Sequence, residues 1–230
     1  MPERVAGVVL AAGSSSRFGQ NKLLLELDGQ SLVRRAVRAT SQAGVDQVVV
    51  VLGHQAARVK AELAGLSCVT IVNLDFADGV GTSLRLGVSR VDPAADAVVV
   101  VLADMPFVTR AMIGDVVARY RSSGAPLVVS QYGQVEAPPT LYARSLMSEL
   151  GGLKGDQGGK AVGLRHRHHA EVVSWPEQAL ADIDVAEDYD HIRHPAPAAS
   201  QSMRRELLEL AAVKMRRFVA IDDCGNIINR

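Results

Sequence analysis

Short, nearly continuous apolar runs alternate with segments of helical spacing along most of this chain. Val5–Ala11, Gln47–Leu52, Val69–Val72, Ala97–Leu102 and Pro126–Ser130 read as strands, and Val172–Trp175 adds another further on. The runs are rich in valine and do not alternate with polar residues, the mark of strands buried on both faces of a sheet. Between them, Ser31 is placed to cap a helix running through Ala43, with Leu32, Ala36 and Val37 on one face and Gly44 as its stop. Gln55–Leu63 reads as a second helix and Ser83–Arg90 as a third, entered through Gly79-Val-Gly-Thr-Ser. Thr109 is placed to cap a fourth, whose apolar stripe is Met112, Ile113, Val116, Val117 and Tyr120. Strand–helix alternation at this spacing predicts an α/β fold with an open, mostly parallel sheet and helices on both faces.

In such sheets ligands sit beyond the carboxyl ends of the strands, so the residues following each run are the ones to read for chemistry. Val5–Leu10 gives way to Ala11-Ala12-Gly13, then Ser14-Ser15-Ser16, then two cations at Arg17 and Lys22. Gly13 and Gly19 let backbone approach a phosphate, serine hydroxyls and N–H groups together can form an anion nest, and Arg17 and Lys22 supply positive charge. An ordinary glycine-rich turn has the same composition. The spacing is neither G-x-G-x-x-G nor G-x-x-x-x-G-K-[ST]. After the second run comes Gly53-His54, where the histidine reads as a surface or capping residue at least as well as a ligand. After the third comes Asn73-Leu-Asp75, leading to Gly79-Val-Gly81-Thr82-Ser83, which suits a phosphate or ribose and equally a plain capped loop. After the fourth comes Ala103-Asp104-Met105-Pro106. A carboxylate there is well placed to hold Mg²⁺, and a turn aspartate ahead of a proline is the alternative.

The pattern loosens beyond residue 130. Gln134–Tyr142 reads as a short extended piece, because Pro138 and Pro139 exclude a helix. Gly151–Lys160 is a glycine-rich loop with two lysines, suited to a phosphorylated ligand or to a flexible linker. His166-Arg-His168-His169 lacks the spaced ligands of a zinc site and reads as a solvated helix end. Asp182-Ile-Asp184 precedes Glu187–Ile192, a helix with an acidic start. His194–Ser200 is linker-like, and Met203–Arg216 has helical periodicity, followed by a candidate hairpin around Asp222–Asn226. The organisation expected is a main domain over 1–194, a linker over 195–202 and an appended tail over 203–230.

Composition narrows the function. With 25 basic and 25 acidic residues the chain is formally neutral, a poor match to a nucleic-acid or membrane-surface binder. Two cysteines, Cys68 and Cys224, suggest neither a disulfide framework nor a zinc site. No signal-peptide pattern or membrane-length apolar run is evident, so a cytoplasmic location is the default. No Ser-His-Asp arrangement or reactive-cysteine context stands out.

Leu10-Ala-Ala-Gly-x-x-x-Arg17-x-Gly19-x-x-Lys22 resembles the signature loop of the nucleotidyltransferases, and within them the molybdenum-cofactor (MobA/MocA-like) branch. Asp104-Met-Pro resembles that family's metal motif, with Ala103 in place of the usual glycine. Weaker likenesses follow. Gly155-Asp-Gln-Gly-Gly-Lys160 resembles a Gly-Asp-x-Gly segment, Ala137-Pro-Pro139 stands where Gly-His-Pro is frequent, and Asp182–Asp188 resembles a closing Asp-Ile-Asp segment with Val185-Ala186 for Thr-Pro. The resemblance covers residues 5 to about 193 and implies a Rossmann-like, nucleotide-diphospho-sugar transferase-like fold. It implies transfer of a nucleotidyl group from an NTP to the terminal phosphate of molybdopterin, with Mg²⁺ as cofactor and pyrophosphate released. Arg17, Lys22 and Asp104 are then the catalytic set. Leu10, Ala11, Ala12, Gly13, Asn73 and Ser83 are the further nucleotide contacts, and Asp104 and Asp184 (with Asp182 as the alternative) the metal ligands. The Ala11-Ala12-Gly13 ending resembles the cytidylyl branch more than the guanylyl one, and a methyl at residue 12 would narrow the slot for a pyrimidine, which favours CTP over GTP. Implied partners are the molybdenum cofactor and a molybdenum hydroxylase or its accessory protein, to which the opening of the tail, Met203–Leu210, bears a faint likeness. A sugar- or polyol-phosphate nucleotidyltransferase and a non-catalytic nucleotide-binding accessory protein are the rival expectations.

Overall fold

The computed structural model describes residues 3–13 and 21–180, all within one compact unit. Arg17, Asp182, Asp184, the linker expected over 195–202 and the tail expected over 203–230 lie outside the described residues. In chain order the elements are β1 (Val5–Ala11), β2 (Glu26–Leu27), β3 (Gln30–Ser31), α1 (Leu32–Ser41), β4 (Gln47–Leu52), α2 (Ala56–Ala61), β5 (Val69–Val72), α3 (Val80–Val88) and β6 (Ala97–Leu102). They continue with α4 (Arg110–Ser123), β7 (Leu127–Tyr132), β8 (Val135–Ala143), α5 (Arg144–Gly151), α6 (Gly159–Arg165) and β9 (Ala170–Trp175).

The main sheet has seven strands in the order β5-β4-β1-β6-β8-β7-β9. β1 lies parallel between β4 and β6, with Leu10 opposite Val51 on one side and Leu102 on the other. Every residue of β1 is buried, as the unbroken apolar pattern predicts. Its two faces feed two cores. Val5, Val9 and Ala11 pack with α1 and α4 residues such as Val37 and Val116. Ala6, Val8 and Leu10 pack with Leu84 of α3 and Leu146 of α5. Helices therefore cover both faces, as expected.

β8 departs from the parallel expectation. It is a nine-residue strand inserted between β6 and β7 and antiparallel to both. The two prolines that mark it as short are accommodated because neither has to donate to a ladder there. The β6 pairing ends at Thr140, and the β7 register slips between Val128 and Ser130, where a proline costs no ladder bond. The freed carbonyls are used instead: Pro139 C=O accepts from Ser130 Oγ at 2.6 Å and Pro138 C=O from Tyr132 Oη at 2.9 Å.

Local details also differ. Ser31 occupies the cap position of α1, but its hydroxyl makes no capping bond and has no partner among the described residues. α3 begins at Val80, so Thr82 and Ser83 sit inside its first turn and do not cap it. β2 and β3 form a small hairpin through Asp28 and Gly29, both at positive φ, the Asp-Gly signal of a tight turn. α5 and α6 flank the glycine-rich loop, where sequence spacing pointed only to a loop.

Candidate active site

Three neighbouring strands, β4, β1 and β6, end side by side, and short hydrogen bonds stitch the loops that leave them. Ala103 N–H donates to Leu10 C=O at 3.0 Å, and His54 N–H donates to Ala12 C=O at 3.3 Å. The loop after β4 approaches so closely that a side chain at Gly53 would stand 2.5 Å from the Ala12 carbonyl oxygen and 2.8 Å from its methyl carbon. Only glycine fits at that position. The Ala12 side chain thus faces Gly53 and is buried, as are Leu10 and Ala11, while Gly13 is exposed. The Ala12 methyl packs between loops, and this contact bears directly on the expectation that it trims a base slot.

Asn21 ties a further segment to the same place. Its side-chain oxygen accepts from Leu23 N–H at 3.1 Å, capping the short turn over Lys22–Leu24. Its amide donates to His54 C=O at 3.2 Å. Asn21 is itself buried, so the turn carrying Lys22 is locked onto the loop after β4. The outcome is the central contact of the site, with Lys22 Nζ 2.8 Å from Asp104 Oδ2. Their side chains are only 13% and 24% exposed, so the pair is weakly screened. The sequence separates these two as an anion-binding cation and a metal-binding anion, whereas the fold sets them against one another. Asn21 escaped sequence reading; its signal was an asparagine directly ahead of a short helical turn.

Asn73 and Ser83 lie at the end of β5, one strand beyond β4. Asn73 Nδ2 donates to both Ser83 Oγ and Thr82 Oγ1 at 2.9 Å, and its oxygen accepts from Asp75 N–H at 3.0 Å. All three polar side chains are buried. They knit the first turn of α3 to the strand end, so the two expected nucleotide contacts meet each other, away from Asp104. The residues expected to act together thus divide in two. Leu10–Gly13, Lys22 and Asp104 share one crevice, and Asn73 with Ser83 forms a neighbouring cluster.

Among the described residues no three His, Cys, Asp or Glu side chains gather into a metal cage. A single partly buried carboxylate at a strand end suits an ion that takes its remaining ligands from phosphate oxygens and water, the habit of Mg²⁺. His166 does not contradict its surface reading: its ring nitrogen lies 2.6 Å from Glu149, and the His168 and His169 rings stack beyond it.

A cavity of about 220 Å³ opens beside the crevice. Leu10, Leu102, Val129, Pro138 and Tyr142 line it together with Glu136, Gly163 and the exposed Lys160. The loop ahead of α6 is fixed by backbone contact with α3. Gly81 N–H donates to Gly155 C=O at 2.9 Å, and any side chain at Gly79 would collide with Gly155 at 2.3 Å. A larger cleft of about 350 Å³, lined by Arg85, Asp92 and Arg144 among others, lies at the amino end of β6. Its Arg144 guanidinium is already bonded to the Pro93 and Ala95 carbonyls. The strand-end rule places ligands at the opposite, carboxyl side.

An open, mostly parallel sheet with a lysine–aspartate pair at adjacent strand ends defines an α/β nucleotide-binding class, and comparison with known proteins sharpens it. Residues 7–172 match the MobA-like NTP transferase domain, and the chain belongs to that family of nucleotidyltransferases. It is 30% identical over 197 residues to the purine catabolism protein PucB of Bacillus subtilis (strain 168), covering 81% of this chain and 95% of that protein. The crystal structure of Rv0371c from Mycobacterium tuberculosis H37Rv superposes with a TM-score of 0.76 at 29% identity, over 84% of this chain and 98% of that one. A manganese complex of Rv0371c gives 0.72 at 27% identity, over 84% and 100%. Among the described residues no helix is long and apolar enough to cross a membrane.

Proposed function

We propose that this chain is a cytoplasmic cytidylyltransferase that moves CMP from CTP to the terminal phosphate of molybdopterin, with Mg²⁺ and with release of pyrophosphate. The observation that carries the reading is the Lys22–Asp104 pair at the ends of β1 and β6 in a member of the MobA-like family. A phosphate-oxygen lone pair of the acceptor attacks the α-phosphorus of CTP, and the bond from that phosphorus to the bridging oxygen of the β-phosphate breaks. No general base is required, because a phosphate monoester with its second pKa near about 6 is largely dianionic at neutral pH. What the reaction needs is position and charge compensation.

Lys22, with Arg17, compensates the β- and γ-phosphates that depart as pyrophosphate. Backbone groups of Leu10–Gly13 orient the base. Asn73 and Ser83, expected as nucleotide contacts, hold the neighbouring loop in place and act on the nucleotide through its position. Asp104, with Asp184, would hold Mg²⁺, which would supply charge neutralisation on the phosphates when bound; the manganese complex of Rv0371c supports use of a divalent ion. The acceptor occupies the cavity bordered by Lys160. CTP is favoured by the Ala11-Ala12-Gly13 ending of β1. Delivery of the product to a molybdenum hydroxylase or its accessory protein follows from the same reading, with the main domain over 1–194 carrying the chemistry and the segment over 203–230 appended to it.

Pyrophosphate release with molybdenum cofactor and Mg²⁺, compared for CTP, GTP and ATP, tests the reading. Release with CTP alone establishes it. Release with GTP keeps the reaction and overturns the base assignment. Release only with a sugar or polyol phosphate replaces the acceptor. Nucleotide binding without release under every condition moves the chain to a non-catalytic accessory role.

A further inference from the structure

α6 is a seven-residue helix containing two glycines, Gly159 and Gly163. A glycine inside a helix costs about 1 kcal/mol relative to alanine, so each needs a reason. Gly159 has one in packing: a side chain there would stand 2.5 Å from Tyr142 Oη. Gly163, one turn later on the same face, has none. Beyond its own helix backbone and chain neighbours, a side-chain carbon built at Gly163 meets no described atom within 4 Å, yet the residue is buried. Burial with empty space in front of it means that Gly163 faces a void, and it lines the 220 Å³ cavity. The rest of that lining includes apolar residues such as Leu10, Val129 and Pro138, together with Tyr142, Thr140, Lys160 and one carboxylate, Glu136, which is paired with Arg167 Nε at 2.5 Å. This chemistry suits a flat or ring-bearing molecule with an anionic group, held by apolar contact on one part and by charge on the other.

We propose that Gly163 is a specificity-determining position: by carrying no side chain it keeps this cavity deep enough for a ring-bearing phosphorylated acceptor. The proposal rests on reading the cavity as the acceptor pocket. Pocket volume discriminates sterically, and filling even one methylene's space in a shaped site changes selection by about tenfold or more. Of the described residues assigned to the nucleotide only Leu10 lines this cavity, so nucleotide binding is expected to change little on substitution of Gly163.

The test compares wild type with Gly163→Ala and Gly163→Leu, measuring acceptor KM and binding for molybdenum cofactor, Kd for CTP, and Tm. Gly163→Leu is expected to raise the cofactor KM by about tenfold or more with CTP Kd unchanged within about twofold. Gly163→Ala moves KM the same way by less, while its Tm rises, because a better helix former replaces glycine. The alanine variant carries the test if the leucine variant does not fold. Wild-type use of the cofactor with no change in KM for any variant overturns the proposal and leaves the acceptor reading intact. A wild type that neither binds nor uses the cofactor overturns the acceptor reading instead. The same proteins are then compared with a sugar phosphate and a polyol phosphate, and a leucine variant that uses either as wild type does overturns the role of Gly163.

Discussion

Lys22 Nζ and Asp104 Oδ2 stand 2.8 Å apart, each brought from a different strand-end loop and each largely shielded from solvent. The ammonium pairs with the carboxylate, so on the proposed roles a divalent ion at Asp104 has to displace Lys22 while the nucleotide's phosphates offer Lys22 an alternative partner. That reading predicts linked uptake of metal and nucleotide. Lys22→Met is expected to bind Mn²⁺ about tenfold more tightly without nucleotide, since a competing cation is gone, yet to transfer about 10²–10³-fold more slowly, the usual loss when a charge-stabilising group is removed. Asp104→Asn is expected to lose both Mn²⁺ binding and turnover. Electron paramagnetic resonance of free Mn²⁺ and a pyrophosphate assay read the two effects separately. An unchanged Mn²⁺ affinity in Lys22→Met would refute the competition.

Asn21, the residue before Lys22, holds the turn that carries this contact. Asn21→Ala removes the cap on Leu23 N–H and the bond to His54 C=O, costing about 1–2 kcal/mol and loosening the turn that carries Lys22. Turnover is expected to fall about tenfold. Asn21→Asp keeps the capping oxygen but loses the donor, so its effect falls between wild type and alanine. Urea unfolding and pyrophosphate release measured on the same samples establish the order of the three proteins.

For Asn73 the expected loss is one of stability. Its amide serves Thr82 and Ser83 and its oxygen serves Asp75 N–H. Thr82 keeps its bonds to the Asp75 and Gly79 carbonyls, but Asn73→Ala deprives the buried Ser83 hydroxyl and Asp75 N–H of their partner, at a cost of about 1–3 kcal/mol. CTP affinity should change by less than about threefold. A loss of tenfold or more in CTP binding at unchanged urea midpoint would make Asn73 a direct nucleotide ligand.

Glu149 at the end of α5 accepts from Arg165 at 2.8 Å and lies 2.6 Å from the His166 ring nitrogen. The hydrogen bond from Arg165, and then that from His166, holds its carboxyl below the ordinary 4.5. A carboxylate whose pKa is depressed in the folded state contributes stability above its unfolded pKa and loses it as pH falls through the folded value. Glu149→Gln should thus cost about 0.5 kcal/mol at pH 7, the scale of an exposed ion pair. The difference from wild type should shrink as pH drops below about 4.5. Thermal unfolding from pH 7 down to pH 3 checks both points, and a gap that widened on acidification would show the sign to be wrong.

The sequence by itself determined the strands and their stacking. Val5–Ala11, Gln47–Leu52, Val69–Val72 and Ala97–Leu102 form residue for residue where the apolar runs predict them; the three inner strands are buried on both faces, whereas Val69–Val72 is the edge strand and leaves Val69 and Val72 exposed. The sequence also determined that the loops after those strands gather together, since a parallel sheet puts every carboxyl end on one side. The central position of β8 was decided by tertiary structure: a proline-bearing strand gains its place only from the partners on either side and from the slipped register that excuses Pro138 and Pro139. Tertiary structure alone also paired Lys22 with Asp104 and joined Asn73 to Ser83. Residue type declares which groups are charged or polar. Which of them meet is decided by the burial of whole loops against one another, and that energy is summed over contacts remote in sequence.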